Sequence, residues 1–132
     1  MIAEISVKSS RRNELIDVTA EVQKIAANSN AKEGLCVVYC PHTTAAVTIN
    51  ENADPSVKED IVSALERLAP PNENYVHSEG NSDAHIKAAV IGNSRTIIVK
   101  DGKLLLGQWE GCFFVELDGP RQRKLLVKII EG

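Results

Sequence analysis

The sequence predicts a single domain, residues 1–132, of the α+β class, with a largely antiparallel sheet or sheets of about seven strands and three helices. Short apolar or alternating runs, which are typical of strands, occur at both ends of the chain, and helical spacing occurs between them. The length suits one hydrophobic core, and contents of 43% hydrophobic and 25% charged residues are ordinary for a globular protein.

Residues 2–50 predict three strands, with one helix between the first strand and the second. Apolar and polar residues alternate over Ile2–Lys8, which predicts a strand with one face in water. A helix follows, capped by Asp17 and ending near Asn28, with apolar residues at helical spacing. Leu35–Cys40 is apolar on both faces and predicts a central strand, and Thr44–Asn50 predicts the next strand.

Two further helices are predicted in the middle of the chain. Asp54 is a candidate N-cap, Pro55 suits the first helical position, and an apolar stripe continues to Leu68. A long polar loop follows. Ser82 is then the candidate cap of a short third helix that ends near Gly92.

The last third of the chain predicts the remaining strands. Thr96–Lys100 and Leu104–Leu106 flank Asp101-Gly102, a dipeptide typical of hairpins. Apolar residues alternate over Cys112–Leu117, and Lys124–Ile130 predicts a closing strand that is apolar on both faces. Three helices cannot cover this much apolar strand surface. Either two sheets pack together, or one sheet face is buried against another subunit.

The composition argues against several classes of protein. A net charge of -3 and an aromatic content of 4% do not suit a general nucleic-acid binder. The three cysteines, Cys36, Cys40 and Cys112, include no CxxC pair, which favours buried reduced thiols in a cytoplasmic protein. No apolar run approaches the roughly 20 residues that span a membrane. We therefore expect neither nucleic acid nor membrane as a partner.

All three histidines, His42, His77 and His85, lie in polar or turn segments rather than in apolar helical stripes. Imidazole titrates near neutral pH and also binds metal ions. These side chains are therefore candidates for proton transfer or for holding a divalent cation such as zinc or magnesium. Neither HxH nor HExxH spacing occurs, so spacing gives the metal interpretation little support.

The start of the third predicted helix is a candidate anion site. Asn81 and Ser82 precede Asp83 in a first turn whose backbone N–H groups lack helical partners. Arg121 follows the tight turn Asp118-Gly119-Pro120, where a guanidinium suits bidentate phosphate binding. A solvated surface arginine would give the same pattern.

An acidic group at the start of the second helix has two interpretations. Asn50, Glu51, Asp54 and Asp60 either cap and solvate that helix or, with nearby imidazoles, hold a divalent cation. No glycine-rich phosphate loop and no nucleophile-elbow pattern is present, so dinucleotide binding and nucleophilic triads have no support.

Five motifs together resemble the YjbQ-like family, which carries the label secondary thiamine-phosphate synthase, over essentially the whole chain. The motifs are His42–Ala45, Asn50-Glu51, Glu79–Lys87, Leu106–Gly111 and Glu116–Arg121. The resemblance implies a small α+β fold assembled as a homotrimer, with sites at or near the subunit interfaces. One position departs from the family pattern, because Glu110 stands where the motif usually has glutamine and adds a negative charge.

The resemblance also implies a transferase that joins a pyrimidine diphosphate to a thiazole phosphate and releases pyrophosphate. Such a step needs a cation, Arg or Lys donors, or helix N-termini to stabilise the departing pyrophosphate. We expect His42, Asp83 and His85 to be catalytic, and His42, His77 and His85 to hold any metal. The residues expected to contact substrate are Asn50, Glu51, Asn81, Ser82, Lys87, Trp109 and Arg121.

Two other functions compete with this hypothesis. The first is a metal- or phosphate-binding trimer whose transferase activity is incidental. The second is a structural or partner-binding trimer, for which the surplus of apolar strand surface is the only motivation.

Overall fold

Two antiparallel sheets and three helices make up the fold. The computed structural model describes residues 1–132. The elements in chain order are β1 (Ile2–Lys8), β2 (Glu14–Asp17), α1 (Thr19–Asn28), β3 (Glu33–Tyr39), β4 (Ala45–Glu51), α2 (Pro55–Leu68), α3 (Ser82–Ile91), β5 (Ser94–Lys100), β6 (Lys103–Leu104), β7 (Glu110–Glu116) and β8 (Gln122–Glu131).

The larger sheet has five strands in the order β1-β8-β3-β5-β6, and the smaller has three in the order β2-β7-β4. All neighbouring strands in both sheets are antiparallel, as predicted. The main core lies between the sheets, because side chains of both sheets belong to one buried cluster; Val7, Val38 and Val127 come from the larger sheet, and Val47 and Phe114 from the smaller. Two sheets therefore do pack together, which was one of the two predicted arrangements.

The helices cover the fold unequally. α1 buries Val22 and Ala26 in the main core. α3 places Ala84 and Ala88 on the other face of the smaller sheet, where they form a second core cluster. α2 starts as predicted, with the Asp54 carboxylate accepting a hydrogen bond from a backbone N–H, yet none of its residues is fully buried. None of the three helices has the length and apolar character needed to cross a membrane.

Strand β2 was not predicted from the sequence, and two helix N-caps lie one residue away from their predicted positions. β2 is only four residues long, which is too short for an alternating apolar pattern to be recognised. It pairs with one side of β7. Val18 rather than Asp17 occupies the N-cap of α1, although the Asp17 carboxylate accepts hydrogen bonds from Thr19. Asn81 rather than Ser82 is the N-cap of α3, and no side chain caps that end.

The central position of β3 is confirmed, but only one of its faces is buried. β3 lies between β8 and β5 in the larger sheet. Leu35 and Tyr39 project from its outer face and each is 42% exposed. The outer face of β3 is thus apolar yet exposed in the single chain, because no helix covers the outside of the larger sheet.

All three cysteines are free thiols in the core. Burial raises the pKa of Cys36 and Cys40 to about 11 and that of Cys112 to about 12. The structure thus places them as small buried hydrophobes, as the sequence predicted.

Candidate active site

The first turn of α3 is held from inside by a buried ion-pair cluster. Asp83 is 1% exposed, and its Oδ1 accepts a 2.8 Å hydrogen bond from the Arg12 guanidinium. Lys87, one turn along α3 and fully buried, places its Nζ 3.3 Å from the other carboxylate oxygen and donates to the Asn13 side chain. Asp83 and Lys87 are closed off from a ligand. Their predicted direct roles are therefore corrected to positioning the helix.

Asp118 joins this cluster to the turn before β8. Its Oδ1 accepts a hydrogen bond from Arg12, and its Oδ2 accepts from the side chains of Asn81 and Arg121, each at 3.0 Å. Three cations and two carboxylates meet here, which leaves one surplus positive charge beside the N-terminus of α3. A helix N-terminus adds further positive potential, so this end of α3 favours an anion.

Two of these residues were absent from the predicted site. Arg12 lies between β1 and β2, outside every motif of the sequence, and Asp118 lies in the turn that precedes Arg121. The signal for Asp118 was present in its turn context. Arg12 carried no local signal, because its two partners are distant in sequence.

His42 is held at the larger sheet by the backbone of Lys124. Its Nε2 lies 3.1 Å from both the N–H and the carbonyl oxygen of that residue, and its ring packs edge-on to Phe114. Burial lowers the pKa of His42, and the positive charge of Arg123 lowers it further. A neutral imidazole that accepts at Nε2 carries its proton on Nδ1.

A buried salt bridge between Glu116 and Arg123 supports the segment that carries His42. Arg123 donates to both Glu116 oxygens and to the carbonyl and hydroxyl oxygens of Thr44. Burial pushes the pKa of Glu116 upward, but hydrogen bonds from Arg123, the Asp118 backbone and Ser9 outweigh it, and the net pKa is lowered. The carboxylate is therefore ionised and fixed. Its position at the ends of β7 and β8 links both sheets.

His85 lies between two cavities. The His42 cavity, about 410 Å³, is lined by His85 and by His42, Thr43, Ala45, Ala88, Ala89, Gly92 and Asn93. The His77 cavity, about 400 Å³, is lined by His85 and by Tyr75, Val76, His77, Ser82 and Ile86. Each has the volume of a small-molecule site. The structure thus brings the three histidines to neighbouring cavities that share His85.

A complete metal site does not form within one chain. The rings of His77 and His85 meet at 88° with centroids 5.6 Å apart, and Glu79 lies 3.8 Å from the His77 Nε2. No group of three or more His, Cys, Asp or Glu side chains converges as metal ligands. The residues present do not fit a closed tetrahedral set, so no chemical step is assigned to a metal.

Three predicted substrate contacts lie elsewhere. Asn50, Glu51 and Trp109 cluster at the far end of β4, where Glu51 pairs with Glu110. β4 is seven residues long, so this end lies about 20 Å from the His42 end. The side-chain amide oxygen of Asn50, Oδ1, accepts a hydrogen bond from the Glu51 N–H, and Trp109 is 57% exposed. One chain alone therefore does not bring these side chains to His85.

Comparison with known proteins identifies the family. The family model described as UPF0047 protein YjbQ-like matches residues 3–132. The chain belongs to this YjbQ-like family. It is 55% identical over 130 residues to a UPF0047 protein of Methanocaldococcus jannaschii, covering 98% of this chain and 94% of that protein. It is 42% identical over 131 residues to YugU, a UPF0047 protein of Bacillus subtilis, with 98% and 99% coverage.

Solved structures of YjbQ-like proteins share the fold. A protein from Clostridium acetobutylicum superposes with a TM-score of 0.95 at 52% identity, covering 97% of this chain and 99% of that one. A protein from Sulfolobus solfataricus gives 0.96 at 35% identity, with 100% and 97% coverage. The fold expected from the resemblance is confirmed by these superpositions.

Glu110 has a local role that explains how the YjbQ-like motif tolerates it here. Its Oε1 accepts a 2.7 Å hydrogen bond from the Gly107 N–H and closes the turn before β7. A glutamine side chain offers the same carbonyl acceptor. The substitution thus keeps the turn and adds a negative charge at the far end of β4.

We expect Glu116→Gln to destabilise the protein by about 3 kcal/mol at pH 7, because it leaves the Arg123 charge buried without its counter-ion. The folded-state pKa of Glu116 lies below the ordinary value of 4.5. Its contribution is therefore present above pH 4.5 and is lost as the pH falls through the lower, folded-state pKa. Urea unfolding of both proteins across this range measures the difference. A gap that stays constant into acid would contradict the assignment of the ionised carboxylate.

Proposed function

We propose that this chain is a transferase of the thiamine-phosphate-synthase type, which joins a pyrimidine diphosphate to a thiazole phosphate and releases pyrophosphate. The observation that carries the proposal is the place of His85, between two small-molecule cavities and on the helix whose N-terminus has a surplus positive charge. The family resemblance supplies the reaction, and the cavities and charge supply what that reaction requires.

The reaction makes one bond and breaks one. The thiazole ring nitrogen attacks the methylene carbon of the pyrimidine, and the carbon–oxygen bond to the diphosphate breaks, so that its electron pair leaves with pyrophosphate. No proton transfer is needed for charge to balance in this step. The chief demand is stabilisation of negative charge on the leaving group.

The N-terminal end of α3 suits that demand. Arg121 is 48% exposed and Arg12 is 39% exposed, so both guanidinium groups reach solvent while their carboxylate partners hold them in place. The first backbone N–H groups of α3 have no helical partners and add to the donors. Asn81, fixed by Asp118, sets the direction of this helix end.

His42 suits substrate binding in its neutral form. Burial and Arg123 lower its pKa, so at pH 7 the ring is a hydrogen-bonding group rather than a counter-ion. We assign it the orientation of a substrate through the ring nitrogen that the Lys124 backbone does not occupy.

His85→Ala should reduce product formation from the two phosphorylated precursors by about 100-fold, because His85 lines both cavities and its loss misplaces the reacting groups. The test measures release of pyrophosphate and formation of the joined product. Lys24→Ala, on the exposed side of α1, is the control and should retain full activity. Equal product from the His85 variant and the wild type would reject the role of His85.

The proposal includes a homotrimer, for which exposed apolar surface is the support. Leu35, Ile98 and Ile130 lie side by side across β3, β5 and β8 and are 42%, 59% and 46% exposed. Apolar side chains in a row on an uncovered sheet face are typical of an interface.

Leu35→Glu should convert a trimer to single chains, because burying an unpaired charge costs several kcal/mol. Analytical ultracentrifugation measures the mass, which should fall to one third of the wild-type value. Lys24→Glu, on the exposed side of α1, controls for the added negative charge and should leave the mass unchanged. A wild-type protein that sediments as one chain would contradict the trimer.

The approach of His77, His85 and Glu79 favours the alternative of a metal-binding protein, completed by ligands from another copy. If this alternative holds, zinc at a hundredfold excess over its Kd should add about 2.7 kcal/mol to the free energy of unfolding and so raise the melting temperature. Replacing His77 with alanine should abolish the rise, whereas Lys24→Ala, on the exposed side of α1, should keep it. Differential scanning fluorimetry with and without chelator measures both. An unchanged wild-type melting temperature would count against a metal.

A further inference from the structure

We infer that the groove between α2 and the free edge of β2 is a docking site for an extended peptide segment that carries basic side chains. This groove shares no lining residue with the His42 cavity or the His77 cavity. Docking there is therefore independent of the proposed reaction.

β2 is an edge strand with one side unpaired. It is the outermost strand of the smaller sheet, and its single neighbour is β7. The N–H of Val18, directly after β2, donates to the carbonyl oxygen of Cys112. Because backbone groups alternate in direction along an antiparallel strand, Leu15 and Asp17 direct their N–H and C=O groups away from β7. No backbone hydrogen bond outside the sheet uses these groups, so they are free to pair with another strand.

The groove beside this edge has the volume and length for a short strand. Its volume is about 440 Å³, which lies within the range of ligand sites. Its α2 wall runs from Pro55 to Glu66, roughly 16 Å along the helix axis, which matches an extended segment of about five residues. Its other wall takes Asn13, Glu14 and Leu15 in succession. Successive side chains of a strand point to opposite faces, so the groove follows the strand edge.

The wall that carries the strand edge is fixed by contacts within the chain. The Asn13 side-chain oxygen accepts a 3.3 Å hydrogen bond from the buried Lys87 ammonium group. The Glu14 carboxylate accepts a 2.8 Å hydrogen bond from the Ser10 N–H, and Arg12 pairs with two carboxylates. A preformed edge lowers the ordering cost of strand addition, so its main-chain hydrogen bonds contribute to affinity.

The groove walls carry a surplus of negative charge. The lining has three carboxylates and two cations, which are Glu14, Glu59, Glu66, Arg11 and Lys58. None of the five forms an ion pair within the chain. The Lys58 ammonium group stands over the ring of Phe113, 5.4 Å from its centroid, and this contact holds it. The unpaired carboxylates therefore favour basic side chains in a bound segment.

Two half-buried apolar side chains lie at the centre of the groove. Val62 is one helical turn from Glu59 and one turn from Glu66, and Leu15 is on the opposite wall. A segment in which apolar and basic residues alternate would cover both apolar side chains and supply cations to the carboxylates around them.

The probe is a short peptide of alternating lysine and valine, acetylated and amidated at its ends. Isothermal titration calorimetry on the full chain should give one site per chain with a Kd of about 100 µM or tighter. The control peptide has glutamate in place of lysine and should not bind. No binding of the lysine peptide at about 1 mM, or equal binding of both peptides, would overturn the docking site.

Backbone methylation separates strand addition from simple charge attraction. In an extended segment the lysine N–H groups face one side and the valine N–H groups face the other. Methylation of one set should weaken binding by about tenfold, because it removes hydrogen bonds to β2, whereas methylation of the other set should leave the Kd unchanged. Equal effects of the two methylations would reject strand addition.

Glu59→Lys combined with Glu66→Lys reverses two exposed charges on the α2 wall and should weaken the lysine peptide by about tenfold. Glu4→Lys combined with Glu21→Lys changes the net charge equally outside the groove and should leave the Kd unchanged. Circular dichroism checks that both variants fold. Equal weakening by the two pairs would show attraction to the overall charge and overturn the site.

Discussion

The buried salt bridge between Glu116 and Arg123 is the interaction on which the rest of the structure depends. A buried charge is tolerated only when its hydrogen-bonding capacity is satisfied. Here the carboxylate accepts from Arg123, from the Ser9 hydroxyl and from two backbone N–H groups that follow it in the chain. Arg123 in turn holds the backbone and hydroxyl of Thr44. One ion pair therefore fixes the ends of strands from both sheets at a single point.

Both halves of the candidate site extend from that point. His42 precedes Thr44 by two residues and bonds to the backbone next to Arg123. Asp118 follows Glu116 by two residues, and its backbone N–H bonds to the Glu116 carboxylate while its side chain fixes the start of α3. The geometry between His42 and the helix that carries His85 is thus set by a network of ion pairs and hydrogen bonds around buried carboxylates.

The sequence predicted what local pattern determines and missed what distant contacts determine. Alternation and capping residues located seven of the eight strands and all three helices, while β2 was too short for the same signal. The polar settings of the three histidines marked each of them as a candidate site residue. The burial of Lys87 did not, because a lysine on a short helix shows no preference for the core until its carboxylate partner is placed. Adjacent motifs also gave no sign that Trp109 lies at the other end of a strand from His42.

The reactivity of the three core thiols can report how often the hydrophobic core opens to solvent. With pKa values of about 11 or 12, only about one thiol in ten thousand or fewer is ionised at pH 7, and packing excludes reagents from all of them. Alkylation of the native chain must then wait for the sheets to part. Because Cys36 and Cys112 come from different sheets but belong to the same core cluster, their labelling rates report how often that core opens, without any added probe.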